Sequence, residues 1–436
     1  MTQTHHIPYV VSWNITRRCN LSCKHCYIDA STAMEGELST GEALRVVQEV
    51  SEVAAGGLLI LSGGEPLLRP DLEALVHRAA TLGMTVVLGT NGTLITRPWA
   101  RSQVDQGLGG VGISLDSLVA ARHDAFRGTD GAWKATVEGI GIARDAGLDV
   151  QLQMTLTREN LSELPRVAHF AREAGARALS VFFLVCTGRG QELVDLNPEE
   201  YEDAIRVLIS YRESGILVRP RCAPTWRRAV AQARPDSILL QTDAGRCMAG
   251  KSYCRITPDG KVTPCPYMPV VVGSLREASF GTIWRSAALF KVLREPDLKG
   301  RCGVCEYREL CGGCRARSLA LNGDIEGEDP WCTYVPGTDA RRETAEAPAL
   351  EWAADAEKRL ESVPFFVRQV VRSAVEAYGR RKGVSIVTAE LLQEARNTLV
   401  RPRSADEGRA PVQSIDSLKG PRIGDSPRKP TTIGKE

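Results

Sequence analysis

The chain is expected to fold as an α/β protein: a partial (β/α)6 TIM-like barrel, then a cysteine-rich domain, then a small all-α unit. Three observations predict this. Short β-prone runs alternate with amphipathic helical stretches from Val10 to about Leu184. Eight cysteines crowd into the 86 residues from Cys247 to Cys332. A compact helical pattern returns between 350 and 400. Strand–helix alternation implies parallel strands with helical crossovers, and 436 residues are too many for one ordinary core. The expected boundaries are 8–235 for the barrel, 240–335 for the cysteine-rich domain, 350–400 for the helical unit and 401–436 for a disordered tail rich in Pro, Ser, Arg and Lys.

The β-prone runs are Val10–Ile15, Leu58–Ser62, Thr85–Gly89, Val111–Leu115, Val150–Thr155 and Leu179–Leu184. Ser39-Thr40-Gly41-Glu42 opens the first helix as a capping box. Leu44, Val47 and Val50 give that helix its apolar stripe. Gly83, Gly147 and Gly175 each follow a helical stretch, where a terminating glycine is expected. From Gly190 to Asp243 the chain reads as helical and polar, punctuated by Pro198 and Pro220. In the last unit, Val367, Val371, Ala374 and Tyr378 keep helical spacing after Pro364, and Thr388 is placed to cap a final helix, Ala389 to Thr398.

A composition of 43% hydrophobic and 25% charged residues is that of an ordinary globular protein. The net charge of +2 gives no nucleic-acid footprint. No apolar run approaches the roughly 20 residues that span a bilayer. The polar stretch Met1 to Pro8 has no signal-peptide core, so a cytoplasmic location is expected, with neither membrane nor nucleic acid as a partner. Thirteen cysteines in such a compartment point to metal ligation rather than disulfides.

Cys19, Cys23 and Cys26 stand at spacing C-x3-C-x2-C directly after the first β-prone run. Three thiolates on one tight loop can hold three corners of a four-iron, four-sulfur cube and leave the fourth iron open. A zinc knuckle or a disulfide staple is the plainer alternative, although zinc wants a fourth ligand nearby. Ligands of parallel α/β folds sit at the carboxyl ends of strands, where three further motifs fall. Gly63-Gly64-Glu65-Pro66 follows the second run, Thr90-Asn91-Gly92 the third, and Ser114-Leu115-Asp116 ends the fourth. Glycines let backbone approach a ligand, Glu65 suits an ammonium group, and Ser114 and Asp116 suit ribose hydroxyls.

The second cysteine field begins with Cys247, Cys254 and Cys265, the last after a hairpin turning at Asp259-Gly260. It continues as Cys302-x2-Cys305-x5-Cys311-x2-Cys314 and closes with Cys332. Eight thiols suffice for two four-thiolate sites, with zinc ribbons as the alternative. Cys222 is either an idle or a functional thiol, and Cys186 is expected to pack at the end of the sixth strand.

The N-terminal cysteine loop, with His25 before its third thiol and Tyr27 after it, resembles that of the radical S-adenosylmethionine (SAM) enzymes. The resemblance implies a [4Fe-4S] cluster on Cys19, Cys23 and Cys26 that chelates SAM and cleaves it reductively to a 5′-deoxyadenosyl radical for hydrogen abstraction. It gives cofactor-binding roles to Tyr27, Gly63, Gly64, Glu65, Pro66, Asn91, Ser114 and Asp116. An electron donor such as flavodoxin or ferredoxin is implied too. The second field resembles the SPASM extension of that family, although two residues separate Cys311 from Cys314 where three are usual. That resemblance assigns Cys247, Cys254, Cys265 and Cys314 to one auxiliary iron–sulfur cluster and Cys302, Cys305, Cys311 and Cys332 to another. Cys254 is the least secure ligand, and without it the first cluster gains an open site.

Trp352, Arg359-Leu360, Val363 to Arg368, Tyr378 and Thr388-Ala389-Glu390 resemble the small C-terminal domain on a subunit of dark-operative protochlorophyllide reductase. Phe182 to Gly190 and Cys222-Ala223-Pro224 are similar to the heme and heme d1 branch of the radical SAM family. Together these imply a porphyrin-type substrate whose propionate side chains are modified, with Arg189 and Arg221 suited to pair with carboxylates. The alternative is maturation of a ribosomally made peptide, against which stand the roughly eight residues before the first strand. A non-catalytic zinc scaffold is the third reading.

Overall fold

The computed structural model describes residues 6–193, 195–211, 216–235, 237, 240, 245–337, 350–361, 371, 372, 375, 376, 378, 379 and 382–399. The expected tail, most of the preceding linker, and Pro364, Val367 and Ala374 lie outside the described residues. All six expected strands form: β1 (Val10–Asn14), β2 (Leu58–Ser62), β3 (Thr85–Thr90), β4 (Leu108–Ser114), β5 (Asp149–Leu156) and β6 (Ala178–Phe183). Each pairs in parallel with the next. Helices α1 (Thr40–Val53), α2 (Leu72–Thr81), α3 (Arg97–Asp105), α4 (Ala120–Arg127), α5 (Ala132–Asp145) and α6 (Leu164–Glu173) supply the crossovers. The start of β4 carried no strand signal because Gly109 and Gly110 have no side chain to pattern.

The sheet extends further at both ends. A seventh parallel strand, β7 (Leu217–Arg221), pairs with β6 inside the stretch expected to be helical. Its two arginines and Pro220 hide the strand pattern, and proline is tolerated there because the sheet ends at β7. α7 (Pro198–Ser210) precedes it and α8 (Thr225–Ala233) follows. At the other end β8 (Tyr253–Ile256) pairs in parallel with β1, and the hairpin partner β9 (Lys261–Thr263) and the short β10 (Gly273–Ser274) complete the sheet. The cysteine-rich domain is thus continuous with the barrel sheet.

Side-chain alternation gives this sheet two distinct faces. Val11, Trp13, Leu59, Leu61 and Leu88 are buried beneath the helices, where α1 contributes Ala43, Val46, Val47 and Val50. Leu44, expected in that stripe, is only half-buried, and Ala43 and Val46 join Val47 and Val50 instead. The Ser39–Glu42 capping box is formed. Ser12, Asn14, Ile60 and Ser62 face the opposite side, the barrel lumen. Gly83, Gly147 and Gly175 adopt positive φ as helix terminators.

The C-terminal unit has its own small core of Ala356, Val375, Tyr378, Val387, Leu391, Leu392 and Ala395. It adds to the expected helices a two-residue parallel strand pair, Glu351–Trp352 with Ile386–Val387. Thr388 caps the last helix, Ala389–Leu399, by accepting from the Leu391 N–H. Among the described residues no helix is long and apolar enough to cross a membrane.

Candidate cluster and cofactor site

The loop bearing Cys19, Cys23 and Cys26 leaves β1 and is fastened by backbone from several strand ends. The Gly64 and Glu65 N–H groups donate to the Thr16 and Arg18 carbonyls at 2.8 Å. A Cβ on Gly64 would lie 2.3 Å from the Arg18 oxygen, and one on Gly63 2.4 Å from the Thr16 oxygen. The glycine pair therefore lets the second strand end approach the cysteine loop, a chain-to-chain need the sequence suggested only for a ligand. Arg189 closes the other side: its Nε donates to the Cys23 carbonyl at 2.9 Å and its Nη1 to Asp29 Oδ1 at 2.7 Å. Its expected pairing with a substrate carboxylate is replaced by this clamp.

Each thiol of the triplet meets one donor. The Leu21 N–H lies 3.4 Å from Cys19 Sγ, the Ala30 N–H 3.3 Å from Cys26 Sγ, and Arg127 Nη1 3.6 Å from Cys23 Sγ. None of the three is in a disulfide. Among the described residues no three His, Cys, Asp or Glu groups converge tightly enough to hold a single ion. Three thiols on one loop, each beside a donor, fit three corners of a multi-iron cluster. Burial pushes the Cys19 thiol up to about 11; binding iron would displace such protons. His25 stacks on Phe126, with ring centroids 4.3 Å apart, and burial drives its pKa down to about 3, so the imidazole is neutral.

The remaining motif residues brace this loop. Glu65 is fully buried, accepting from Thr90 Oγ1 at 2.8 Å, the Asn91 N–H at 2.9 Å and the Leu67 N–H at 3.2 Å. Burial pushes its carboxyl up to about 7. Its side chain ties β2 to β3 and is not free for an ammonium group; Pro66 starts the short turn it caps. Asn91 Nδ2 donates to Asn20 Oδ1 at 2.8 Å, inside the cysteine loop. Asp116 does not reach outward to a ribose. Its carboxylate is buried, paired with Arg127 at 2.5 Å, and accepts from the Thr155 N–H at 2.8 Å. Burial alone would raise the Asp116 carboxyl, but the Arg127 guanidinium holds it below the usual range. Asp116 thereby fixes the arginine that touches Cys23, a link the sequence did not signal. Ser114 is half-buried, and its hydroxyl has no hydrogen bond among the described residues, so it stays open to a ligand. The Tyr27 hydroxyl accepts from Asn14 Nδ2 at 2.9 Å, and its ring lies 5.5 Å from that of Tyr267.

The auxiliary thiols form two groups. Cys302, Cys305, Cys311 and Cys332 line one cavity together. Donors approach there too: the Tyr307 N–H at 3.4 Å from Cys305 Sγ and the Gly313 N–H at 3.4 Å from Cys311 Sγ. Cys247, Cys265 and Cys314 form the other group, each within electrostatic reach of the others. Cys254 does not join them. It pairs in register with Val11 and is wholly buried on the helix-covered face, in the main apolar core. Cys186 lies beside Asp195, beyond the sixth strand, and belongs to neither group.

The lumen holds three arginines. Arg219 and Arg221 alternate along β7, Arg221 donating weakly to Ser180 Oγ at 3.4 Å and Arg219 to Gln151 Oε1 at 3.4 Å. Neither has a carboxylate partner among the described residues, and both are reached by solvent. Burial and the neighbouring Arg219 charge lower Arg221 to about 10. Arg255 donates to Asn14 and lies over the Tyr27 ring, 5.3 Å from its centre. Arg219 was missed because a strand that is not recognised reveals no shared face.

Three family models match successive parts of the chain. Residues 13–171 match the radical SAM superfamily, 247–315 an iron–sulfur cluster-binding (SPASM) domain, and 352–396 the proto-chlorophyllide reductase 57 kD subunit. The AdoMet-dependent heme synthase of Methanosarcina barkeri is 39% identical over 341 residues, covering 76% of this chain and 97% of that protein. The pre-heme d1 synthase of Dinoroseobacter shibae is 35% identical over 354 residues, covering 74% and 85%. Among solved structures, SuiB of Streptococcus suis bound to S-adenosylmethionine superposes with a TM-score of 0.61 at 16% identity, over 76% of this chain and 78% of that one. That last likeness concerns the fold.

Proposed function

The chain belongs to the radical SAM superfamily and carries a SPASM iron–sulfur domain, and we propose that it modifies the propionate side chains of a tetrapyrrole, as in heme or heme d1 formation. Its cofactors are a [4Fe-4S] cluster that works with SAM and auxiliary iron–sulfur clusters. Cys19, Cys23 and Cys26 would hold the first cluster. Cys302, Cys305, Cys311 and Cys332 would hold one auxiliary cluster, and Cys247, Cys265 and Cys314 would contribute to the other. With SAM bound, the first cluster would supply the electron for reductive cleavage of the sulfonium.

The protein's own part is positioning. Gly63, Gly64, Glu65 and Asn91 hold the cysteine loop against the ends of β2 and β3. Ser114 offers its hydroxyl to SAM, Tyr27 packs against Tyr267 and accepts from Asn14, and Pro66 keeps the turn after Glu65 closed. Burial pushes the Cys23 thiol up, and Arg127, locked by Asp116, places a positive charge against it that offsets part of that rise.

The observation that carries the substrate reading is the Arg219–Arg221 pair. Two guanidiniums on one face of β7, without a carboxylate between them among the described residues, repel each other until an anion arrives. Propionates are such anions, and guanidinium meets carboxylate in a bidentate geometry. The likeness to heme and pre-heme d1 synthases supports the same substrate class. A flavodoxin or ferredoxin is the proposed electron donor.

The test is anaerobic reconstitution followed by SAM cleavage with and without propionate-bearing iron porphyrins. Porphyrin-stimulated cleavage with a mass change in the porphyrin is expected. Protein that cleaves SAM yet neither binds nor alters any porphyrin would sink the substrate reading. It would also favour the peptide-maturase alternative, which draws on a mycofactocin maturase 30% identical over 334 residues.

A further inference from the structure

We propose that Cys222 is the fourth thiolate of the auxiliary cluster held by Cys247, Cys265 and Cys314, in the place that the SPASM resemblance gives to Cys254. This rests on the ligand assignment proposed above and extends it to a residue 25 positions before the first cysteine of the SPASM match.

Strand geometry separates the two candidates. In β8, Tyr253 and Arg255 point into the lumen, Arg255 to Asn14 and Tyr253 toward Tyr27 and Cys265. Cys254, between them, must then point to the opposite face, because successive strand residues alternate. There it packs beside Val11 in the main core, with no other thiol near enough to influence it. Cys265 follows Thr263, which pairs with Arg255, so the hairpin carries Cys265 onto the lumen side. A ligand on Cys254 would have to pass through the sheet.

Cys222 lies where the fourth thiol is needed. It is the first residue after β7, at the sheet end that faces β8: Arg221 interacts with Tyr253, and Cys222 with Cys265. A chain of buried contacts also ties Cys222 to Cys314. The Cys314 N–H donates to Asp329 Oδ2 at 2.7 Å, Asp329 pairs with Arg317 at 3.4 Å, and Arg317 Nη2 donates to the Cys222 carbonyl at 3.0 Å. Every pair among Cys222, Cys247, Cys265 and Cys314 is close enough to interact electrostatically. Its thiol has no hydrogen bond among the described residues. Its backbone is held in the left-handed region at φ 58°, which a non-glycine residue adopts only when its surroundings enforce it.

Four thiolates leave this cube no open corner, so substrate binding falls to the lumen arginines rather than to an auxiliary iron. The rings of Tyr27 and Tyr267, 5.5 Å apart, stand between this site and the Cys26 loop, each within two residues of a thiol of its own site.

The experiment compares the anaerobically reconstituted full chain with Cys222→Ala, Cys254→Ala and Cys247→Ala, reading iron per chain and the EPR spectrum of the reduced protein. Cys254→Ala should keep the wild-type iron content and spectrum. Cys222→Ala and Cys247→Ala should each lose about four irons, or keep them with one auxiliary signal altered and newly sensitive to added imidazole. Should Cys222→Ala not fold, Cys222→Ser should shift that same signal, since a hydroxyl is a poorer iron ligand. Wild-type iron and spectra in the Cys222 variants, with loss in Cys247→Ala, would overturn the inference alone. Wild-type iron in Cys247→Ala as well would overturn the ligand assignment beneath it.

Discussion

Cys19, Cys23 and Cys26 fall within eight consecutive residues, whereas the thiols around Cys247 come from positions 222 to 314. The first group is a loop feature. Its spacing is set by the chain itself, and the fold only braces it, through Arg18, Asn20, Arg189 and Arg127. The second group draws on both sides of the ten-stranded sheet, with Arg221 and Cys222 at the end of β7 within electrostatic reach of Tyr253 and Cys265 on the β8–β9 hairpin. A three-thiol loop leaves an iron open for SAM, while a site drawn from several elements can be closed on all sides. Local ligands suit reactivity here, and distributed ligands suit a buried, protected cube.

The largest test of this contrast lies in the loop. Cys19→Ala should abolish SAM cleavage, measured as 5′-deoxyadenosine formed under reducing conditions, while the iron of the auxiliary groups remains. Loss of all iron would show that the two regions are not independent. Next comes the brace. Asp116→Ala leaves Arg127 buried without its partner, and removing one member of a buried pair costs about 3–5 kcal/mol. Chemical unfolding should show that loss together with a perturbed EPR signal from the SAM-binding cluster. An unchanged Tm would mean that the loop does not depend on Arg127.

On the distributed side, Arg221→Leu or Arg219→Leu should raise KM for a propionate-bearing porphyrin roughly tenfold to a hundredfold, as expected for losing about 1.5–3 kcal/mol of charged hydrogen bonding. SAM cleavage without porphyrin should be untouched. An effect confined to kcat would move these arginines out of substrate binding. The last effect is one of slope. Because burial raises Glu65 to about 7, the folded chain holds its proton more tightly than the unfolded chain does. The stability this group contributes is complete below about 4.5 and is lost as pH rises through about 7. Unfolding of the cluster-free Glu65→Gln chain between pH 4.5 and 8 should lack that decline, and parallel curves for the two proteins would refute it.

Much of the architecture was legible in the chain. β1 to β6, the capping box at Ser39, the terminating glycines and the Asp259-Gly260 turn all follow from local chemistry, because side-chain period and positive-φ demand are properties of a few adjacent residues. β7 was not legible, since Arg219, Pro220 and Arg221 carry none of the apolar alternation that marks a strand. Glu65 and Asp116 illustrate a subtler limit. Their types suit a ligand, yet each carboxylate is consumed inside the protein, by β3 in one case and by Arg127 in the other.

Sequence by itself determined the chemistry: a three-thiol loop after the first strand, a second field of eight thiols, and the residue types that brace them. Tertiary structure alone decided membership. Spacing counts residues along the chain and is blind to which face of a sheet each one occupies. Cys254, seven residues after Cys247, is turned into the core, while Cys222, 25 residues before it, is brought to the thiols. The physical reason is the two-residue period of a strand, which sends neighbours to opposite sides, joined to a curled sheet that makes distant ends adjacent.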